Sequence, residues 1–243
     1  MSKLATIGPL LFAAAMVAFG VQHFIYAAGP KGLGPPWVPL PPLWLYLMGA
    51  VLIVAGVCIA IGKQGRATAL LLGAVFALYS SLIYAPRIEA HVHDPGPWTS
   101  GCEVLAMCGA AWVLAGSNGR GTSAGKSMPG ALGRLLYALP LVVFGTQHFL
   151  YARFAATLVP SWIPVRLFWA YFAGVAFIAA ALSIATQQRS RLAASLLGTM
   201  FFIWVWIVHS PRVAAAPHNA NEWTSLFVAL AMCGGAWTIA GAS

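Results

Sequence analysis

The stretch Phe19-Gly20-Val21-Gln22-His23-Phe24-Ile25-Tyr26-Ala27 returns 125 residues later as Phe144-Gly145-Thr146-Gln147-His148-Phe149-Leu150-Tyr151-Ala152. The same offset, without a gap, carries Trp37 to Trp162, Pro39 to Pro164, Pro86-Arg87 to Pro211-Arg212, His93 to His218 and Trp98-Thr99-Ser100 to Trp223-Thr224-Ser225. Chance does not keep so many identities in one register, so the chain reads as a duplicated and fused unit. Any fold given to one half must then serve the other. The repeat also bears on the N-terminal apolar run. Residues 5–27 align with 130–152 in mid-chain, so that run reads as a retained helix and not as a secretory signal.

Composition fixes the solvent of both halves. Of 243 residues, 60% are hydrophobic and 7% charged, with a mean hydropathy of +0.83; soluble domains run near about 45–50% and about 25%. Too little polar surface remains for a globule in water. Nucleic-acid binding and disorder are excluded with it, despite a net charge of +9. A membrane helix needs about 20 apolar residues. Runs of that length fall at 5–27, 43–62, 67–85, 98–116, 132–152, 167–186, 191–209 and 223–242. They are too long for barrel strands. The expected fold is all-α: an integral membrane protein with eight transmembrane helices, built as two parallel four-helix bundle repeats. The units span 1–117 and 130–243, joined by a Gly/Ser-rich linker over 118–129. An even number of helices per unit makes both copies enter from one side, related by a two-fold along the membrane normal.

Orientation follows from Lys and Arg near the helix ends. One side collects Lys3, Lys63, Arg66, Arg120, Lys126, Arg134, Arg189 and Arg191. The other has Lys31, Arg87, Arg153, Arg166 and Arg212 together with the acids Glu89, Asp94, Glu222 and, just inside a helix, Glu103. The first side is expected to be cytoplasmic, with both termini there, in a bacterial-type inner (plasma) membrane.

All six His and all four acids fall at or near the second side, and ionisable residues in a span mark a functional site by default. Gln22, His23 and Tyr26, repeated as Gln147, His148 and Tyr151, lie three and four residues apart, which puts the Tyr on the side of the pair. Three readings stand: an interfacial belt, polar packing between helices, or contact with a proton or quinone. Trp37-Val38-Pro39 and Trp162-Ile163-Pro164 read as stiff outer loops or an aromatic clamp. Pro86-Arg87 and Pro211-Arg212 are expected to end the third helices, with each Arg reaching lipid headgroups or donating to an anion or a quinone carbonyl.

The halves differ in places. Tyr84 stands where the second half has His209, and Pro97 where it has Glu222. The second unit therefore gathers His148, His209, Arg212, His218 and Glu222, with His148, His209 and Glu222 as catalytic candidates. Cofactor contact is expected from Gln147, His148, Tyr151, His209 and Arg212, with Gln22, His23, Tyr26 and Arg87 as their counterparts in the first unit. His91, His93 and Asp94 form a short string of metal-ligand types. A haem b held by His148 and His209 is a further option. Cys58, Cys102, Cys108 and Cys233 form no C-x-x-C pair, so they read as packing residues rather than a dithiol relay.

With these residues in view, each unit resembles the four-helix DoxX-like family. The marks are Gly20-x-Gln22-His23-Phe24, Trp37-x-Pro39, Tyr46-x-x-Gly49 and Pro86-Arg87, and in the second unit His209-Ser210-Pro211-Arg212 followed by Glu222-Trp223. The likeness covers nearly all of 5–116 and 130–241, as a fused tandem in place of the usual single unit. It implies the four-helix fold. Some relatives resemble the membrane subunit of a thiosulfate:quinone oxidoreductase, which implies an association with quinone but carries no catalytic residue onto this sequence.

Three functions follow as expectations. One is a redox-linked protein whose outer His/Tyr/Arg cluster contacts a quinone, in the company of other membrane or periplasmic redox subunits. Another is a non-catalytic accessory or scaffold subunit of a larger complex. The last is a transporter of a small apolar solute, for which Glu103 is the acid nearest the middle of a span.

Overall fold

The computed structural model describes residues 3–26, 41–62, 65–117 and 127–243. Among these residues every regular element is helical. The order is α1 (Lys3–Tyr26), α2 (Pro41–Ala60), α3 (Gly65–Tyr79), a π turn (Ser80–Tyr84), α4 (Ala85–Ala90) and α5 (Pro95–Gly116). The second half continues with α6 (Met128–Leu150), α7 (Ala152–Leu158), α8 (Arg166–Thr186), α9 (Ser190–Trp204), a π turn (Val205–His209), α10 (Ser210–Ala215) and α11 (Ala220–Ala242). Eight stretches are long and apolar enough to cross a membrane, with α3–α4 and α9–α10 each counted as one 26-residue run.

The prolines at 86 and 211 do not end the third helices, contrary to expectation. Each half passes its proline by widening one turn. The backbone N–H of Ala85 reaches back five residues to the Ser80 carbonyl, and that of Ser210 to Val205. Proline lacks an N–H and collides with the carbonyl four residues back, and a π turn takes up that misfit. The Ser210 hydroxyl adds a second bond to the Val205 carbonyl, at 2.7 Å. Tyr84 and His209 therefore sit inside continuous helices, turned relative to what an α-helical count assigns them.

Other boundaries shift less. Helix α6 starts at Met128, capped by Ser127, whose hydroxyl accepts from the Gly130 N–H at 3.3 Å. The helix thus starts two residues before position 130. The short α7 occupies a segment expected to be loop, and Trp162 beyond it is exposed. The loop with Trp37 and Pro39, and linker residues 118–126, lie outside the described residues.

The packing joins the halves closely. Helix α1 packs on α2 and on α11; α6, its counterpart, packs on α8 and on α5. The first helix of each half therefore lies against the last helix of the other, and α5 and α11 also touch. Contacts between α2 and α3, and between α8 and α9, are sparser. Glycines set the close approaches. A Cβ at Gly109 would lie 2.5 Å from the Gly133 carbonyl oxygen, and one at Gly234 would lie 2.4 Å from the Phe12 nitrogen. Small residues let helix backbones meet where apolar surroundings give no hydrophobic drive to association. The outside is apolar as well, with Leu71, Leu196 and Trp206 more than 60% exposed.

Candidate functional site

Gln147 and His148 are neighbours on α6, so they project about 100° apart around the helix and meet different partners. Gln147 faces α5. Its Nε2 donates to the Pro95 carbonyl at 3.1 Å, and its Oε1 accepts from the Thr99 hydroxyl at 2.9 Å. Gln22 repeats this on α11, donating to Thr224 Oγ1 at 3.3 Å and to the Ala220 carbonyl at 3.5 Å. Both glutamines fasten the first helix of one half to the last helix of the other. Polar packing between helices, one of the three readings of this motif, accounts for them.

His148 turns toward α8 and α9. Its Nδ1 lies 2.8 Å from the Phe144 carbonyl, as His23 Nδ1 does from Phe19. A carbonyl can only accept, so the ring proton sits on Nδ1 and Nε2 keeps its lone pair. The ring stacks on Trp204 (centroids 6.4 Å apart, 19° between planes) and meets Phe177 edge-on at 5.2 Å. Gly174 makes the seat: a Cβ there would lie 3.2 Å from that of His148. Phe144, Phe177, Phe201 and Trp204 complete a contiguous aromatic cluster.

Five residues beyond Trp204, the π turn ends at His209. Arg212, one turn further, donates from Nη2 to Glu222 Oε1 at 3.0 Å, with Nε 2.9 Å from Oε2. This fork bridges α10 and α11, partly buried. His209 stands within electrostatic reach of both partners, and its Nδ1 is buried without a hydrogen-bond partner among the described residues. His148 and His209 thus lie toward the same end of the fold, with His209 five residues along the helix from the Trp204 that stacks on His148.

The remaining candidates separate from this group. Tyr151 caps the end of α6 and is exposed, away from the His148 stack. Tyr26 is the last residue of α1. His91, His93 and His218 occupy exposed turns. The Asp94 carboxylate caps α5, accepting from the Gly96 N–H at 2.9 Å. Among the described residues no three His, Cys, Asp or Glu side chains are grouped to hold a metal ion. In the first half, Tyr84 lies 5.8 Å from Tyr79 ring to ring, under the Arg87 guanidinium at 5.8 Å.

Trp204, Phe177 and the two threonines were not expected at the site. A signal for the aromatics does exist: at the same offset the first half has Tyr79 and Leu52, so both are enlarged in the second half alone. Haem does not fit. The space beside His148 is filled by rings 5.7–5.8 Å apart, and a macrocycle on its Nε2 would have to displace them.

A family model described as a domain of unknown function (DUF8561) matches residues 137–237, from within α6 through most of α11. No curated protein and no solved structure matches the chain. The matched segment contains His148, Trp204, His209, Arg212 and Glu222, and excludes the first half.

Proposed function

We propose that this chain is a multi-pass protein of a bacterial-type inner membrane, with both termini cytoplasmic. Its two DoxX-like units run parallel and share the α5–α11 contact. In this reading the outer end of the second unit binds the headgroup of a membrane quinone and works beside other membrane or periplasmic redox subunits. One observation carries it: a buried, unpaired His209 Nδ1 beside the Arg212–Glu222 fork. A buried ring nitrogen without a partner is costly, and a quinone carbonyl oxygen is an acceptor of the right kind for it.

The chain's own groups have clear roles in this arrangement. His209 donates from Nδ1 to a carbonyl oxygen, and Arg212 offsets negative charge that develops there. Glu222 holds the guanidinium in place. His148 holds its Nδ1 on the Phe144 carbonyl, which leaves Nε2 as the acceptor of the neutral ring. Bound quinone would supply the two-electron, two-proton chemistry. The sparser contact between α8 and α9 is the side from which a lipid-soluble ligand would approach.

The test is extraction of quinone from protein purified in mild detergent, native against His209→Ala. Quinone retained by the native protein and lost from the variant is the expected result. Native protein that carries none, and whose melting temperature is unmoved by a short-chain quinone, would sink the reading.

A further inference from the structure

Helix α11 has Glu222 in its first turn and Thr238, Gly241 and Ala242 at its other end. At that far end it meets α1, the end of α2, the start of α3 and the end of α5. Together they border a cleft of about 600 Å³, within the roughly 300–1,000 Å³ usual for ligand sites. Pro9, Leu10, Ile59 and Leu114 make its walls apolar, and no acid lines it. Leu10 and Ile61 are exposed, so the apolar lining continues onto the outer surface.

The charge at the cleft is positive. Arg66, exposed in the first turn of α3, belongs to the lining. No carboxylate stands against it: Arg212–Glu222 is the one ion pair among the described residues, which include all four acids of the chain. The first N–H groups of α3 lack intrahelical partners and add a preference for negative charge. Gly65 leaves that backbone open, since a Cβ there would meet nothing within 4 Å. Ser117 and Thr238 donate their hydroxyl protons to the Leu114 and Gly234 carbonyls, which leaves Arg66 as the principal donor.

The second half treats the equivalent place differently. At the offset of 125, Pro9 is replaced by Arg134, Gly62 by Gln187 and Gly65 by Ser190. Arg134 is only 5% exposed, so a buried arginine stands where the first half turns a proline to the cleft. The Ser190 hydroxyl lies 3.1 Å from that of Ser243 and ties the start of α9 to the end of α11. Protein side chains thus occupy in one half what the other half leaves open.

We propose that the cleft binds one anionic phospholipid, with its phosphate on Arg66 and the start of α3 and one acyl chain along Pro9, Leu10 and Ile59. Charge complementarity selects the occupant. A guanidinium unpaired by protein takes a phosphate, and apolar walls beside it take a hydrocarbon chain. The lipid bridges α1 and α2 to α3, across the sparse α2–α3 contact. The site lies at the opposite end of α11 from Glu222, so it stands or falls apart from the quinone reading.

Native mass spectrometry of the full chain, released from mild detergent with equal amounts of phosphatidylglycerol and phosphatidylcholine of the same chain length, tests this. One phosphatidylglycerol should be retained in preference. Arg66→Gln should weaken that binding at least about fivefold, the attraction of one surface cation for anionic lipid. Arg191→Gln removes the same charge from the equivalent position of the second half and should leave binding unchanged. Equal losses in the two variants, or equal retention of both lipids by the native protein, overturn the proposal. Gly65→Phe keeps every charge and fills the cleft, so it should expel the lipid; native-like retention overturns the location. Displacement by excess glycerol 1-phosphate would mark a site for soluble anions and also overturn it. Melting curves give a second readout. Phosphatidylglycerol should raise the melting temperature of the native protein and of Arg191→Gln but not of Arg66→Gln, whereas an equal rise in all three contradicts the assignment.

Discussion

Gln147 Oε1 accepts a hydrogen bond from the Thr99 hydroxyl at 2.9 Å, across the junction of the two halves. The same hydroxyl also lies 2.9 Å from the Pro95 carbonyl, to which Gln147 Nε2 donates. Three groups thus close a small ring at the start of α5. Gln147 thereby ties one half to the other, while its neighbour His148 turns toward α8 and α9.

Breaking this ring should cost stability. Gln147→Leu removes two bonds at a partly buried junction and is expected to lower stability by about 1–3 kcal/mol. Gln22→Leu should cost less, because its bonds are longer, at 3.3 and 3.5 Å. Thermal unfolding of both variants in one detergent checks the ranking; a larger loss at Gln22 contradicts it.

The glycine approaches predict a sharp positional contrast. Gly109→Ala puts a Cβ 2.5 Å from a backbone oxygen of α6 and should cost about 1–3 kcal/mol through overpacking. Gly65→Ala, with nothing within 4 Å, should be neutral or stabilising by up to about 1 kcal/mol. Equal melting temperatures for the two would contradict the packing described.

Gln187 has φ +61° at the end of α8, and the residue at the same offset in the first half is Gly62, with φ +70°. A side chain in the left-handed region costs roughly 1–2 kcal/mol. Gln187→Gly should therefore raise the melting temperature, and Gly62→Gln should lower it. Opposite signs are the outcome to look for.

The Arg212–Glu222 pair separates stability from binding. Arg212 is 39% exposed, and ion pairs so open to solvent contribute about 0–1 kcal/mol. Arg212→Gln should melt close to the native protein yet lose retained quinone. A large drop in melting temperature would instead make the pair structural.

Much of this fold can be read from the chain. Eight apolar runs foretell the eight long helices, because runs of that length and composition favour continuous helix, and the constant offset of 125 shows each signal twice. The π turns could not be read, since proline next to a helix end signals a stop unless the turn before it widens. Nor could the exchange of partners between halves: an apolar helix face does not say which apolar face it meets. At the candidate site, His148, His209, Arg212 and Glu222 were visible as rare polar residues. Trp204 and Phe177 were not, because aromatic residues are common in such helices and only the comparison of halves sets them apart.

The pairing of α1 with α11 has a consequence for biosynthesis. The ribosome makes α1 well before α11, so α1 stays without this neighbour until α11 has been made. A truncation that removes α11 would strip cover from α1 and bare the close approach made at Gly8 and Gly234.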